Sequence, residues 1–380
     1  MLGIFVFLMH LPYLPHFLYV GVGFYAFIQN INSFRFYSNN TLVFLILLFV
    51  FVTGCIFNMI LHSSNHEFEL PYTILSFVTF IIAFAFKLKD IKYLVYLIAL
   101  EAIIGIYELF IGVDTILPFI ESKVFTQTNL MYHTRVSGLS MGVNTYAMKL
   151  LIGSILLERF KELFARQYYL IKLLLTFAIF LSFSRTVVVT YFVFQIMIYG
   201  IFIKNNFEYF LGKLLKLELK AVLAAFLTIC VILVLTFYAA TKSDEIINQF
   251  TRGKGTIELS GRSLIWNDFF HFIKTNLFFG NGSYKMYVSY LGNPSHAHNS
   301  FIQIIANNGL FLALFYIIFT FTKINKNSWL YIFPLIIYSL TQYGLFWGIS
   351  LVDIIFFVFI INSNIFKQYK LLKLNGSTSS

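Results

Sequence analysis

Charge is what this sequence has least of. Of its 380 residues only 11% are Asp, Glu, Lys or Arg, while 59% are hydrophobic and 20% aromatic. The mean hydropathy is +0.80. So little polar surface cannot cover a water-soluble globule, and that class is excluded at once. Cysteine is almost missing as well: Cys55 and Cys230 both fall in apolar runs, so neither a structural disulfide nor a cysteine-based metal site is expected. The opening segment lacks a basic start and a small-residue cleavage site, so it reads as retained chain rather than a removed signal peptide. No internal repeat stands out, and residues 376–380, Gly-Ser-Thr-Ser-Ser, read as a flexible tail or scar.

What is present is a series of apolar runs near the length that an α-helix needs to cross about 30 Å of hydrocarbon. They cover Leu2–Ile28, Leu42–Leu61, Pro71–Phe86, Tyr93–Ile111, Val143–Leu157, Tyr169–Phe183, Thr186–Ile203, Ala221–Ala240, Phe301–Phe321, Trp329–Phe346 and Ile349–Ile361. The first is interrupted by His10, Pro12, Pro15 and His16, and is expected to be either one irregular span or a short piece followed by a helix. Barrel strands would be about half as long and would alternate. The expected fold is therefore all-α: a single transmembrane domain of about eleven helices, or twelve if the first run crosses twice. Two longer polar stretches interrupt it, 113–142 and 241–300.

Basic residues in short loops stay on the cytoplasmic side. Placing the loops at 87–92, 158–172, 204–220 and 323–326 and the C-terminal tail inside satisfies this rule, and both longer polar stretches then face outward. The basic residues left outside are Lys123, Arg135, Arg185, Lys242, Arg252, Lys254, Arg262, Lys274 and Lys285. Arg185 stands in a bare turn, Phe-Ser-Arg-Thr, between two apolar runs. A guanidinium at the hydrocarbon boundary needs water or an anion, and its planar fork suits a phosphate; lipid headgroups or a specific ligand would both serve.

The polar chemistry is densest between Ser260 and Gly309. His296 and His298 stand two apart at the start of an apolar run, in Pro-Ser-His-Ala-His-Asn-Ser-Phe. His-x-His is half of a metal site, but neither His-Glu-x-x-His nor a cysteine cluster accompanies it, so no metal is expected. A histidine at the water-side mouth of a helix suits general-base work, although position alone favours a structural or interfacial role. Asn299 can cap the helix or orient a substrate hydroxyl. Tyr284, Tyr287 and Tyr290 are candidates for stacking against sugars.

Taken together these residues resemble the O-antigen polymerase and O-antigen ligase superfamily. The shared pattern is Arg262 and Trp266, then Gly280 and Gly282, then His298 and Asn299 with Gly309 ten residues after the Asn. Ser-Phe-Ser-Arg-Thr around Arg185 is similar to the family's Ser-x-Ser-Arg turn, and the stretch with Arg135, Gly138 and Asn144 to its earlier outer loop. Where the ligase pattern has a small or hydroxylated residue three positions after the Gly, this chain has Leu312, a departure that favours the polymerase. The resemblance implies a membrane-embedded C-type glycosyltransferase in the bacterial inner membrane, its active site facing the periplasm. It further implies undecaprenyl-pyrophosphate-linked oligosaccharide as substrate, inverting chemistry, and no cofactor. His298 would be the base or acceptor-orienting residue, with His296 as a second candidate, and Arg185, Arg262 and Arg135 would hold the diphosphate. A chain-length regulator and a flippase of the same pathway are the partners it suggests, and no nucleic acid.

Charges inside the spans have two readings. Glu101 and Glu108, seven residues apart, share a helix face, and a Glu101–Lys149 pair would pay for burying both. Asp353, near the outer start of the last run, is either paired or a contact to a sugar hydroxyl. A ligase transferring the glycan to lipid A core is the second functional reading. A lipid-linked oligosaccharide flippase is a third, disfavoured because transporters tend to show related halves and interrupted spans meeting at the midplane.

Overall fold

The computed structural model describes residues 1–11, 17–30, 39–62, 75–117, 134–216 and 261–362, with isolated positions outside these stretches. The described chain is helical apart from one short hairpin. Its helices are α1 (Leu2–Leu8), α2 (Phe17–Asn30), α3 (Asn39–Leu61), α4 (Ser76–Ala85), α5 (Leu88–Ile111), α6 (Val143–Arg159), α7 (Tyr168–Leu181) and α8 (Arg185–Leu215). They continue with α9 (Arg262–Thr275), α10 (Ser300–Asn308), α11 (Leu310–Thr322), α12 (Lys326–Thr341) and α13 (Leu351–Ile361). Strands β1 (Val288–Tyr290) and β2 (Asn293–Ser295) pair antiparallel between α9 and α10. The run Ala221–Ala240 falls mostly outside the described residues, as does the tail at 376–380.

Three of these helices contain stretches long and apolar enough to cross a membrane, Thr41–Leu61, Leu88–Ile111 and Arg185–Lys204, and several shorter apolar helices accompany them. Large side chains such as Phe110, Leu170 and Phe177 point outward, where only hydrocarbon would welcome them. This is the architecture of an integral membrane protein. Two of the expected spans are not single helices. The first run is divided between α1 and α2. The run Phe301–Phe321 breaks at Gly309, whose φ of +78 and ψ of 164 end α10 and begin α11. No larger residue fits there, since a Cβ at Gly309 would lie 2.0 Å from the Phe278 carbonyl oxygen.

Helix α5 packs against α1, α6 and α7, α4 against α2 and α13, and α12 against α8 and α13. Polar ties fix these contacts. The Asn362 amide donates to the carbonyls of Ala83, Phe84 and Phe86, locking the end of α13 to the end of α4. Lys149 and Glu101 form the expected pair at 3.1 Å, both completely buried. Glu108 instead accepts three backbone N–H groups, from Ile116, Ser137 and Gly138. With Ser140 donating to Glu101 at 2.7 Å, the two acids of α5 hold the 137–140 turn against the bundle.

The bundle has two distinguishable ends. At one, the Arg159 guanidinium at the end of α6 lies over the rings of Tyr331, Phe366 and Tyr369. At the other, Asn144 at the start of α6 accepts the Ser184 hydroxyl. Fifteen helical residues separate Asn144 from Arg159, so the ends lie about 22 Å apart at 1.5 Å per residue.

Candidate active site

At the Asn144 end, the termini of four helices meet. Ser184 precedes the first residue of α8, Arg185. The Thr341 hydroxyl, last in α12, donates to Thr186 at 3.2 Å, which brings that terminus beside Arg185. Helix α9 begins at Arg262, directly after Gly261 with φ +75. A Cβ there would sit 2.0 Å from the Tyr290 hydroxyl, so the glycine lets Tyr290 close over the start of α9. Helix α10 begins after Asn299, whose side chain accepts from the N–H groups of Phe301 and Ile302 and thereby caps it.

The segment from His296 to Ser300 is held at nearly every position. Ala297 is fully buried; its N–H donates to Gln303 Oε1 at 2.8 Å, and its carbonyl accepts Trp266 Nε1 at 2.6 Å. The His298 N–H donates to His296 Nδ1 at 3.1 Å. Asn299 Nδ2 donates to the Leu340 carbonyl, and Ser300 Oγ accepts the Gly344 N–H. The buried side chain of Gln303 also donates to the Met286 carbonyl and to Asn307 Oδ1. His298 takes φ +49, a left-handed backbone that costs a residue bearing a Cβ about 1–2 kcal/mol.

The electrostatics show which charges face one another. Burial and the neighbouring Arg185 guanidinium push Arg262 below the ordinary arginine range. Burial and Arg262 push His298 down, partly countered by a hydrogen bond to the Gln342 side chain. Burial, His298, Lys285 and Arg262 push His296 down to about 3. Arg185, Arg262, Lys285 and both histidines therefore share one region, in which each imidazole stays neutral at neutral pH. Lys285 is itself buried, with its ammonium on the face of Trp347. The His296 ring packs at an angle against His298 (ring centroids 4.1 Å) and Tyr343 (5.4 Å) and edge-on to Trp347 (6.0 Å). His298 Nδ1 is buried and finds no hydrogen-bond partner among the described residues. Among those residues no three His, Cys, Asp or Glu side chains group to hold a metal ion.

Residues 170–317 match a family model described as O-Antigen ligase. Over that stretch, less than half of its length, the chain is similar to the O-antigen ligase family. No curated protein and no solved structure matches the chain.

The matched stretch contains Arg185, Arg262, His296 and His298, which the fold brings together although 113 positions separate the first from the last. Arg135 lies outside it, at the same end of the bundle, two residues before the Ser137–Gly138 pair clamped by Glu108. Of the alternatives at Asn299, the structure shows the cap. Asp353 departs from the expected sugar contact: it is buried and its carboxylate accepts from Phe346 N, Gly348 N and Ser350 Oγ, which shapes the 342–350 turn. Tyr284 and Tyr287 are half-buried in the loop before β1, while Tyr290 packs beside Gly261. The aromatic rings beside the histidines are instead Tyr343 and Trp347, which the sequence reading had left in or next to the apolar run Trp329–Phe346. The signal was there: α12 stops at Thr341 and the following Gln-Tyr-Gly-Leu-Phe-Trp-Gly carries two glycines, a turn signature inside an apparently continuous span. Gln342 was likewise not singled out, and Lys285 stood only among the outward basic residues.

Proposed function

We propose that this protein polymerises polysaccharide from lipid-linked repeat units. One polyprenyl-diphosphate-linked oligosaccharide, with undecaprenyl as the carrier, is transferred onto the terminal sugar of another at the outer face of the inner membrane. The carrying observation is a row of neighbours: the Arg185 guanidinium faces Arg262, and Arg262 faces a held and neutral histidine, His298. Two guanidiniums side by side at half-buried positions make a place of concentrated positive charge, and a diphosphate answers both with charge-assisted hydrogen bonds. Lys285 adds a third positive charge close by. Arg135, two residues before the turn that Glu108 holds at the same end of the bundle, is a further candidate ligand.

The chemistry then asks for little more. The acceptor hydroxyl donates its proton to the His298 imidazole as its oxygen attacks the anomeric carbon from the face opposite the diphosphate. The new carbon–oxygen bond forms as the carbon–phosphate-oxygen bond breaks, and polyprenyl diphosphate leaves with its charge held by the arginines. Inversion at the anomeric carbon follows. No step requires a metal or cofactor.

Polymerisation is preferred over transfer to lipid A core because of Leu312, where the ligase pattern has a small or hydroxylated residue. A Cβ at Gly54 would lie 2.9 Å from Leu312 Cδ1, so the leucine is seated against α3 and offers hydrocarbon at that position. Outward orientation is supported by the cytoplasmic basic loops, since 158–172 lies at the opposite end of α6 from the site. The deciding experiment supplies purified protein in nanodiscs with one lipid-linked oligosaccharide and nothing else. A ladder of extended lipid-linked chains supports the polymerase; intact substrate that becomes joined only when lipid A core is added would establish the ligase instead. In the same system, Arg185→Ala and Arg262→Ala should each raise the dissociation constant about 10- to 100-fold, the worth of a hydrogen bond to a charged group. Unchanged affinity in both would remove the diphosphate site.

A further inference from the structure

His296 is a second candidate base by sequence, but its surroundings give it another task. Its Nδ1 accepts the backbone N–H of His298, the residue whose φ of +49 is unusual for a side chain with a Cβ. Such backbones persist only where neighbours over-determine them. An Nδ1 that accepts carries no proton, so the ring is fixed as the tautomer protonated on Nε2. Its depressed pKa, about 3, keeps that acceptor available through neutral pH, with His298, Lys285 and Arg262 as the charged or titratable groups facing it. Tyr343 and Trp347 flank the ring and limit its rotation.

We infer that His296 is a positioning residue: its Nδ1 holds the main chain of His298 in the left-handed conformation that sets the His298 imidazole beside Arg262. Without that acceptor the His298 N–H is orphaned, and the segment relaxes toward an extended backbone that carries the imidazole elsewhere. Ala297 is pinned separately by Trp266 and Gln303, so the disturbance stays at His298. This inference rests on the reading of His298 as the base.

Two full-length variants test it. His296→Asn keeps an acceptor oxygen near the place of Nδ1, whereas His296→Phe keeps a ring against Tyr343 and Trp347 and removes the acceptor. With polyprenyl-diphosphate-linked oligosaccharide extracted from producing cells, the Phe variant should lose about 10- to 100-fold in kcat, the scale of a misplaced reacting group. Its KM should stay within about threefold, because the diphosphate ligands are untouched. The Asn variant should recover most of kcat and keep the acid limb of the wild-type pH profile. Equal impairment of Asn and Phe variants, or wild-type turnover by the Phe variant, overturns the inference. If the Phe variant does not fold, His296→Leu supplies the same loss of acceptor. His298→Ala is run alongside: full activity there would defeat the base itself, whereas an inactive His298→Ala beside a fully active His296→Phe defeats only the positioning role.

Discussion

The histidine at the centre of the site is tuned by what surrounds it. Burial first, and Arg262 second, disfavour the imidazolium at His298. In the proposed mechanism the neutral His298 is the active form, so kcat should be flat at neutral pH and fall only on acidification, with an apparent pKa below the ordinary 6.5. Replacing Arg262 by Gln removes a positive neighbour, which makes the imidazolium easier to form and raises that pKa. The acid limb of the residual activity should therefore move to higher pH; a limb that stays put or moves down would show that Arg262 does not face His298. Gln303 carries a separate load, since it is buried and bonds Ala297, Met286 and Asn307 at once. Gln303→Leu leaves the Ala297 N–H and the Met286 carbonyl without that partner, while Asn307 Oδ1 keeps the Met286 N–H, and should cost about 1–3 kcal/mol for each group left buried and unpaired, read as a lowered melting temperature in detergent.

Among the elements, the break between α10 and α11 matters most. Gly309→Ala places a methyl into the Phe278 carbonyl and strains φ, and should destabilise by at least about 1–3 kcal/mol, with the Leu277–Met286 loop loosened from the end of α10. Lys149→Ala leaves Glu101 buried without its cation and should cost about 3–5 kcal/mol, whereas the double change Lys149→Met with Glu101→Leu should cost far less; equal losses in the two would mean that the pair is not coupled. The Glu101–Lys149 pair was legible in the sequence because buried charges in apolar runs need partners. Arg185 and His298 stood out in the sequence because each is a polar residue at the boundary of an apolar run, and Arg262 because, with Trp266, it resembles the family pattern. Residues 342–347 were not, because Tyr, Leu, Phe and Trp at hydrocarbon-like density look the same whether they face lipid or line a site. Asp353 misled for a related reason: a carboxylate in an apolar run advertises a partner without saying that the partner is its own turn.

In the whole molecule, the proposed orientation gives one end of the bundle to chemistry and the other to the cytoplasm. In a cysteine-free background, Asn293→Cys on the exposed hairpin should react with a membrane-impermeant maleimide in intact spheroplasts, whereas exposed Lys161→Cys should react only after the membrane is opened. The reverse pattern would turn the molecule over. The central claim is narrower than sidedness: two arginines hold a lipid diphosphate while His298 takes the proton of the incoming hydroxyl. Chain extension by purified His298→Ala, scored beside its binding of the lipid-linked oligosaccharide, tests that claim most directly. The account predicts binding near the wild-type level with extension reduced by about two to four orders of magnitude, the range of a lost general base. A ladder of wild-type length and yield from that variant would contradict it.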